Sequence, residues 1–107
     1  MTNYKLIAIK LGEILKEKSS INEINRIAKA IFPFNKKKYP NDSITSLRAK
    51  EVYDWVLTLS EQDLTETDKE KLLKNFIKEL APEFTLIQTS EGLEIVNETY
   101  KKTSYYE

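Results

Sequence analysis

The 107-residue sequence contains no cysteine and no histidine. Disulfides, structural zinc sites, haem ligation, thiol catalysis and Ser-His-Asp triads each lose a required side chain. The ordinary imidazole general base goes with them. Glycine is almost as scarce, with Gly12 and Gly92 alone. A phosphate-cradling loop or dinucleotide fingerprint needs several glycines close together for the backbone to approach its ligand, so neither is expected. No run of about 18 apolar residues is present, which argues against a membrane span. The opening Met1-Thr2-Asn3-Tyr4-Lys5 also lacks the apolar core of a secretory signal, and a cytoplasmic location is expected. No spacing of carboxylate, Lys, Tyr or Ser singles out a catalytic set. The expectation is therefore no enzyme, no cofactor, no metal and no small-molecule substrate.

What is present is an ordinary globular composition, 40% apolar and 32% charged, in a length suited to one domain. The zero net charge conceals a division: residues 1–50 carry eleven Lys or Arg against four acids, and residues 51–107 carry six against thirteen. Steering toward nucleic acid calls for a basic excess that the whole chain lacks, so nucleic acid is not the expected partner.

Residues 43–59 hold the most apolar helical pattern and the only Trp. Ile44, Leu47, Val52, Trp55, Val56 and Leu59 follow three-and-four spacing, and Ala49, Tyr53 and Leu57 widen the stripe beyond what a surface helix needs. This segment is expected to be the central helix, capped by Asp42 or Ser43 and packed on more than one side. Before it, residues 3–18 form a first helix with Tyr4, Ile7, Leu11, Ile14 and Leu15 inward, Leu6 broadening that stripe and Lys10 on the wet side. Gly12 inside this pattern implies close approach of another backbone. Ser20-Ile21-Asn22-Glu23 has the form of a capping box opening a second helix, which Pro33 stops. Residues 33–42 are the one clear loop, with Lys36, Lys37 and Lys38 between Phe34 and Tyr39. Basic residues interleaved with aromatics suit phosphates or acidic partners; the simpler reading is a solvated connection with both rings pinned to the core. A fourth helix, capped at Thr65 or Thr67, buries Leu72, Leu73, Phe76, Ile77 and Leu80 and turns Lys69, Lys71, Lys74 and Lys78 outward. Beyond Pro82, residues 84–89 and 93–96 flank Ser90-Glu91-Gly92 and favour a β-hairpin over a fifth helix. The expected fold is mainly α, a four-helix bundle-like domain over residues 1–97 with a C-terminal hairpin or fifth helix. Residues 98–107 read as a frayed tail or linker.

Residues 41–59, NDSITSLRAKEVYDWVLTL, followed after a short turn by KLLKNFIKEL, resemble the small helical domains at the N-termini of bacterial abortive-infection and related antiphage proteins. These are, broadly, effector-associated or death-like recruitment domains. The resemblance implies an adaptor that brings sensor and effector together by like-with-like association. A hairpin after Pro82 departs from an all-helical bundle of that kind.

Three functional readings follow. The first is a protein-interaction module, binding a protein partner or itself. Its basic side would comprise Lys36, Lys37, Lys38, Arg48 and Lys50, and its acidic side Asp54, Glu61, Asp63, Glu66 and Asp68. On separate surfaces these would dock head to tail; alternatively they neutralise one another within a monomer. Arg48 and Asp54 also read as a surface ion pair or as solvated positions. The second is a small phage-encoded inhibitor of a host defence complex, presenting Glu61, Asp63, Glu66, Asp68, Glu91, Glu94 and Glu98 as a phosphate mimic. The third is a winged helix on DNA, although the expected hairpin carries Glu83, Glu91 and Glu94 and no Lys or Arg.

Overall fold

In a computed structural model describing residues 2–98, four helices and a hairpin follow in order. They are α1 (Tyr4–Leu15), α2 (Ile21–Ile31), α3 (Leu47–Ser60), α4 (Glu66–Leu80), β1 (Phe84–Thr89) and β2 (Gly92–Asn97). The tail expected from residue 98 onward lies outside the described residues except for Glu98.

The helix α3 is the centre, because its apolar residues surround it. Ala49, Val52, Tyr53, Trp55, Val56 and Leu59 are all buried, joined by Asp54 and Thr58. Helix α1 lies along one side with Ile7, Ala8, Leu11 and Leu15 inward, at a separation set by Gly12. A Cβ on Gly12 would stand 2.9 Å from the backbone oxygen of Ala49, so the close approach foreseen for this glycine is real. On the other side, Phe32, Phe34, Trp55 and Phe76 form one aromatic cluster with centroids 5.1–6.1 Å apart. The Trp55 indole N–H donates to Asn25 Oδ1 at 2.8 Å, so the largest buried ring has its polar atom satisfied.

The hairpin closes the bundle. Thr89 pairs with Gly92 around Ser90 and Glu91, and Gly92 takes φ 118°, a conformation that glycine adopts without strain. Leu86, Leu93 and Ile95 share the inward face. Lys10 of α1, exposed as expected, also reaches across to donate to the backbone carbonyl of Ile95 at 3.0 Å. Lys18 and Glu83 form an ion pair that ties the end of α1 to the segment before β1. That contact holds the Glu83 carboxyl below its usual range.

Four sequence expectations are corrected. Helix α3 starts at Leu47, not near Ser43, because Ser46 Oγ accepts from the Ala49 N–H while Ser43 is engaged in a turn with Asn41. Leu47 is 75% exposed: it stands four residues before Glu51 and shares that residue's polar side of the helix. Leu6 is 63% exposed beside the hairpin. Lys69 is buried, donating to the Ser60 carbonyl at the C-terminal end of α3, where backbone oxygens lack helical partners.

Candidate interaction surface

Glu51, Asp54, Thr58 and Glu61 follow one another along α3 and its C-cap at intervals of three and four, which places them on one side of an otherwise apolar helix. Segment 36–39 lies across this polar stripe. Lys36 Nζ stands 3.3 Å from Glu51 Oε2 and 3.9 Å from Asp54 Oδ2. The Lys37 N–H donates to Thr58 Oγ1 at 3.0 Å, the Tyr39 N–H to Asp54 Oδ1 at 3.1 Å, and the Tyr39 hydroxyl to Glu61 Oε1 at 2.6 Å. Thr58 in turn donates to the Asp54 carbonyl at 2.7 Å. A segment with no regular structure thereby satisfies two backbone amides on side chains of a neighbouring helix.

Asp54 is the centre of this arrangement. Its carboxylate is 3% exposed and, besides Tyr39, receives Lys50 Nζ at 2.8 and 3.1 Å. No described buried side-chain nitrogen or oxygen lacks a hydrogen-bond partner. Burial first, and then the hydrogen bond to Glu61, raise the Tyr39 hydroxyl above the usual tyrosine value.

The sequence-designated residues therefore divide. Lys36, Lys50 and Asp54 meet in one internal cluster, with Asp54 buried and both lysines partly so. Arg48 does not pair with Asp54; its Nη1 donates to the Lys16 carbonyl at the end of α1, at 2.9 Å. Lys37, Lys38, Glu61, Asp63, Glu66 and Asp68 are exposed. Among these, Lys37, Lys38, Asp63 and Asp68 form no ion pair with any described residue. Phe34 stacks on Phe32 at 5.2 Å and Tyr39 packs against the core, as the simpler reading of the loop requires. Tyr39, Thr58 and Glu51 were not singled out from the sequence as a set. The signal for them was polar residues recurring at helical spacing inside the most apolar segment of the chain.

Troughs lie elsewhere, two of them against α1. One, of about 1090 Å³, runs between the start of α1 and the start of α4 and is lined by Tyr4, Lys5, Glu66, Glu70 and Gln88. There the Tyr4 hydroxyl donates to Glu66 Oε1 at 3.3 Å, and burial, followed by the Glu66 charge, pushes its pKa well above the ordinary value. The other, of about 470 Å³, lies between α1 and β2 with Leu6, Ile9, Leu93 and Ile95 along it. Among the described residues no group of His, Cys, Asp and Glu is arranged to hold a metal ion, and no helix is long and apolar enough to cross a membrane. No family model matches this chain, and neither a curated protein nor a solved structure matches it.

Proposed function

We propose that this chain acts by association with protein, as a non-enzymatic module that binds a partner or itself. One observation carries the reading: Lys37 and Lys38 are exposed on a segment fixed to α3 by the adjoining Tyr39, which is bonded to Asp54 and to exposed Glu61 at once. A fixed pattern of opposite charges orients an incoming protein and rejects wrong registers more effectively than it adds raw affinity. Lys36, Lys50 and Asp54 contribute by holding the loop and not by meeting the partner. The resemblance of residues 41–59 to recruitment domains of antiphage proteins favours an adaptor role in bacterial defence.

A photo-crosslinking residue in place of Lys38, in cells that naturally make the protein, tests the proposal. Protein adducts are expected, and Lys37→Glu should reduce them severalfold. Adducts with nucleic acid alone, or no adducts, would count against it. Lys36 is left unchanged, since Lys36→Glu would set a third carboxylate against Glu51 and Asp54 and unsettle the loop itself.

A further inference from the structure

The basic and acidic residues do not sit on opposite ends of the molecule. Lys37 is anchored at Thr58 and Tyr39 at Glu61, so loop 36–39 runs beside the last two turns of α3. Its exposed Lys37 and Lys38 are joined to the exposed acids of the α3–α4 turn through Tyr39, which follows Lys38 in the chain and bonds Glu61, two residues before Asp63. That adjacency decides the symmetry of any self-contact. Opposite charges on separate surfaces call for head-to-tail addition, which grows without limit unless it closes into a ring. Opposite charges side by side on one surface are complementary to themselves after a half-turn, because rotation brings the basic end of one copy over the acidic end of the other.

Resting on the association reading, we infer that the strip running from Lys37 and Lys38 across Tyr39 to Glu61 and Asp63 pairs with the same strip of a second copy about a two-fold axis. The occupant is another copy of this chain because the strip supplies its own complement. Lys37, Lys38 and Asp63 have no internal ion-pair partner among the described residues, so their charges are available to it. Half-buried Tyr39, which bridges to Glu61, lies at the middle, where the axis passes. Tyrosine is among the residues enriched at the centres of protein interfaces. The strip is short compared with the roughly 1,200 Å² or more buried by stable interfaces, so the dimer is weak and held largely by charge. Added salt shortens the Debye length to about 3 Å at 1 M and dissociates it.

Sedimentation equilibrium of the purified full chain tests this through charge exchange. At about 20 mM salt the protein should dimerise, with the dissociation constant rising at least about tenfold by about 0.5 M. Lys37→Glu with Lys38→Glu makes the strip wholly acidic, and Glu61→Lys with Asp63→Lys makes it wholly basic. Each variant alone should be monomeric, and an equimolar mixture should form a 1:1 dimer that does not grow with concentration. Asp63→Lys alone keeps the Tyr39–Glu61 bond and should weaken self-association, so the test survives any loosening of the loop by Glu61→Lys. Mass that climbs past the dimer, or a mixture that stays monomeric, overturns the two-fold pairing. A protein monomeric at every salt concentration that still crosslinks to a different protein through position 38 overturns this inference and leaves the association reading standing. Failure of both experiments removes both.

Discussion

Asp54 shows how far one side chain's role can lie from its apparent class. In the sequence it is one of thirteen acids in the second half of the chain. In the fold it is a buried acceptor for a backbone amide and the Lys50 ammonium, with Lys36 in ion-pair range. Removing it with Asp54→Ala leaves the Tyr39 N–H and the Lys50 ammonium without their partner in a poorly solvated place. A loss of about 2–4 kcal/mol in urea unfolding is expected, with Glu51→Ala costing distinctly less because that residue is more exposed. The tyrosines carry a pH consequence. Tyr4 and Tyr39 both have raised pKa values in the fold, so they hold their protons at pH values where the unfolded chain, near its ordinary value of about 10, loses them. Their contribution to stability is constant below about pH 10 and declines as pH rises beyond it. Urea midpoints measured from about pH 8 to pH 11 should fall more steeply for the native chain than for Tyr4→Phe; equal slopes would refute the assignment.

At the level of elements, what could be read from the sequence and what could not have separate causes. Local signals carried through: Ser20 Oγ accepts from the Glu23 N–H, Thr65 caps α4, Pro33 follows the end of α2, and Ser90-Glu91-Gly92 turns the hairpin. Each depends on a few adjacent residues. The start of α3 was expected at Asp42 or Ser43 and falls at Ser46, because Ser43 is engaged by Asn41 while Ser46 is left to cap the helix. Ser46→Ala should therefore cost about 1 kcal/mol of stability in thermal or urea unfolding, and Ser43→Ala little. The loop on the polar stripe could not be read from either segment alone. Glu51, Asp54, Thr58 and Glu61 acquire their meaning only when residues fifteen or more positions away pass over them. Lys69 was misplaced for a similar reason, since its acceptor belongs to the preceding helix. Gly12 lies between these cases: its tight contact was foreseeable, its partner was not. Gly12→Ala gains about 1 kcal/mol of helix propensity but forces its methyl onto the Ala49 carbonyl. A net loss of about 1–2 kcal/mol is expected in urea unfolding. Because the obstructing atom is backbone, Ala49→Gly should not restore stability.

Taken whole, the molecule is a single apolar core to which the four helices and both strands contribute, with charge arranged around it in two ways. Part of the charge division between the chain's halves is cancelled internally, through Lys36 and Lys50 on Asp54 and through Lys18 on Glu83. Lys37, Lys38, Glu61, Asp63 and Asp68 are among the charges left exposed. If the proposed association uses these exposed charges, its contacts are expected to be weak and salt-sensitive.

The contact between Lys10 and Ile95 bears on the fate of this chain when crowded. A two-stranded sheet has a margin on each side where further strands from foreign chains could add, and amyloid growth begins by such templating. By placing an ammonium on a carbonyl of β2, α1 acts as a gatekeeper there. Lys10→Ala should shorten the lag before thioflavin-positive fibrils appear at high concentration, while Lys5→Ala, which vacates no strand carbonyl, should leave that lag unchanged.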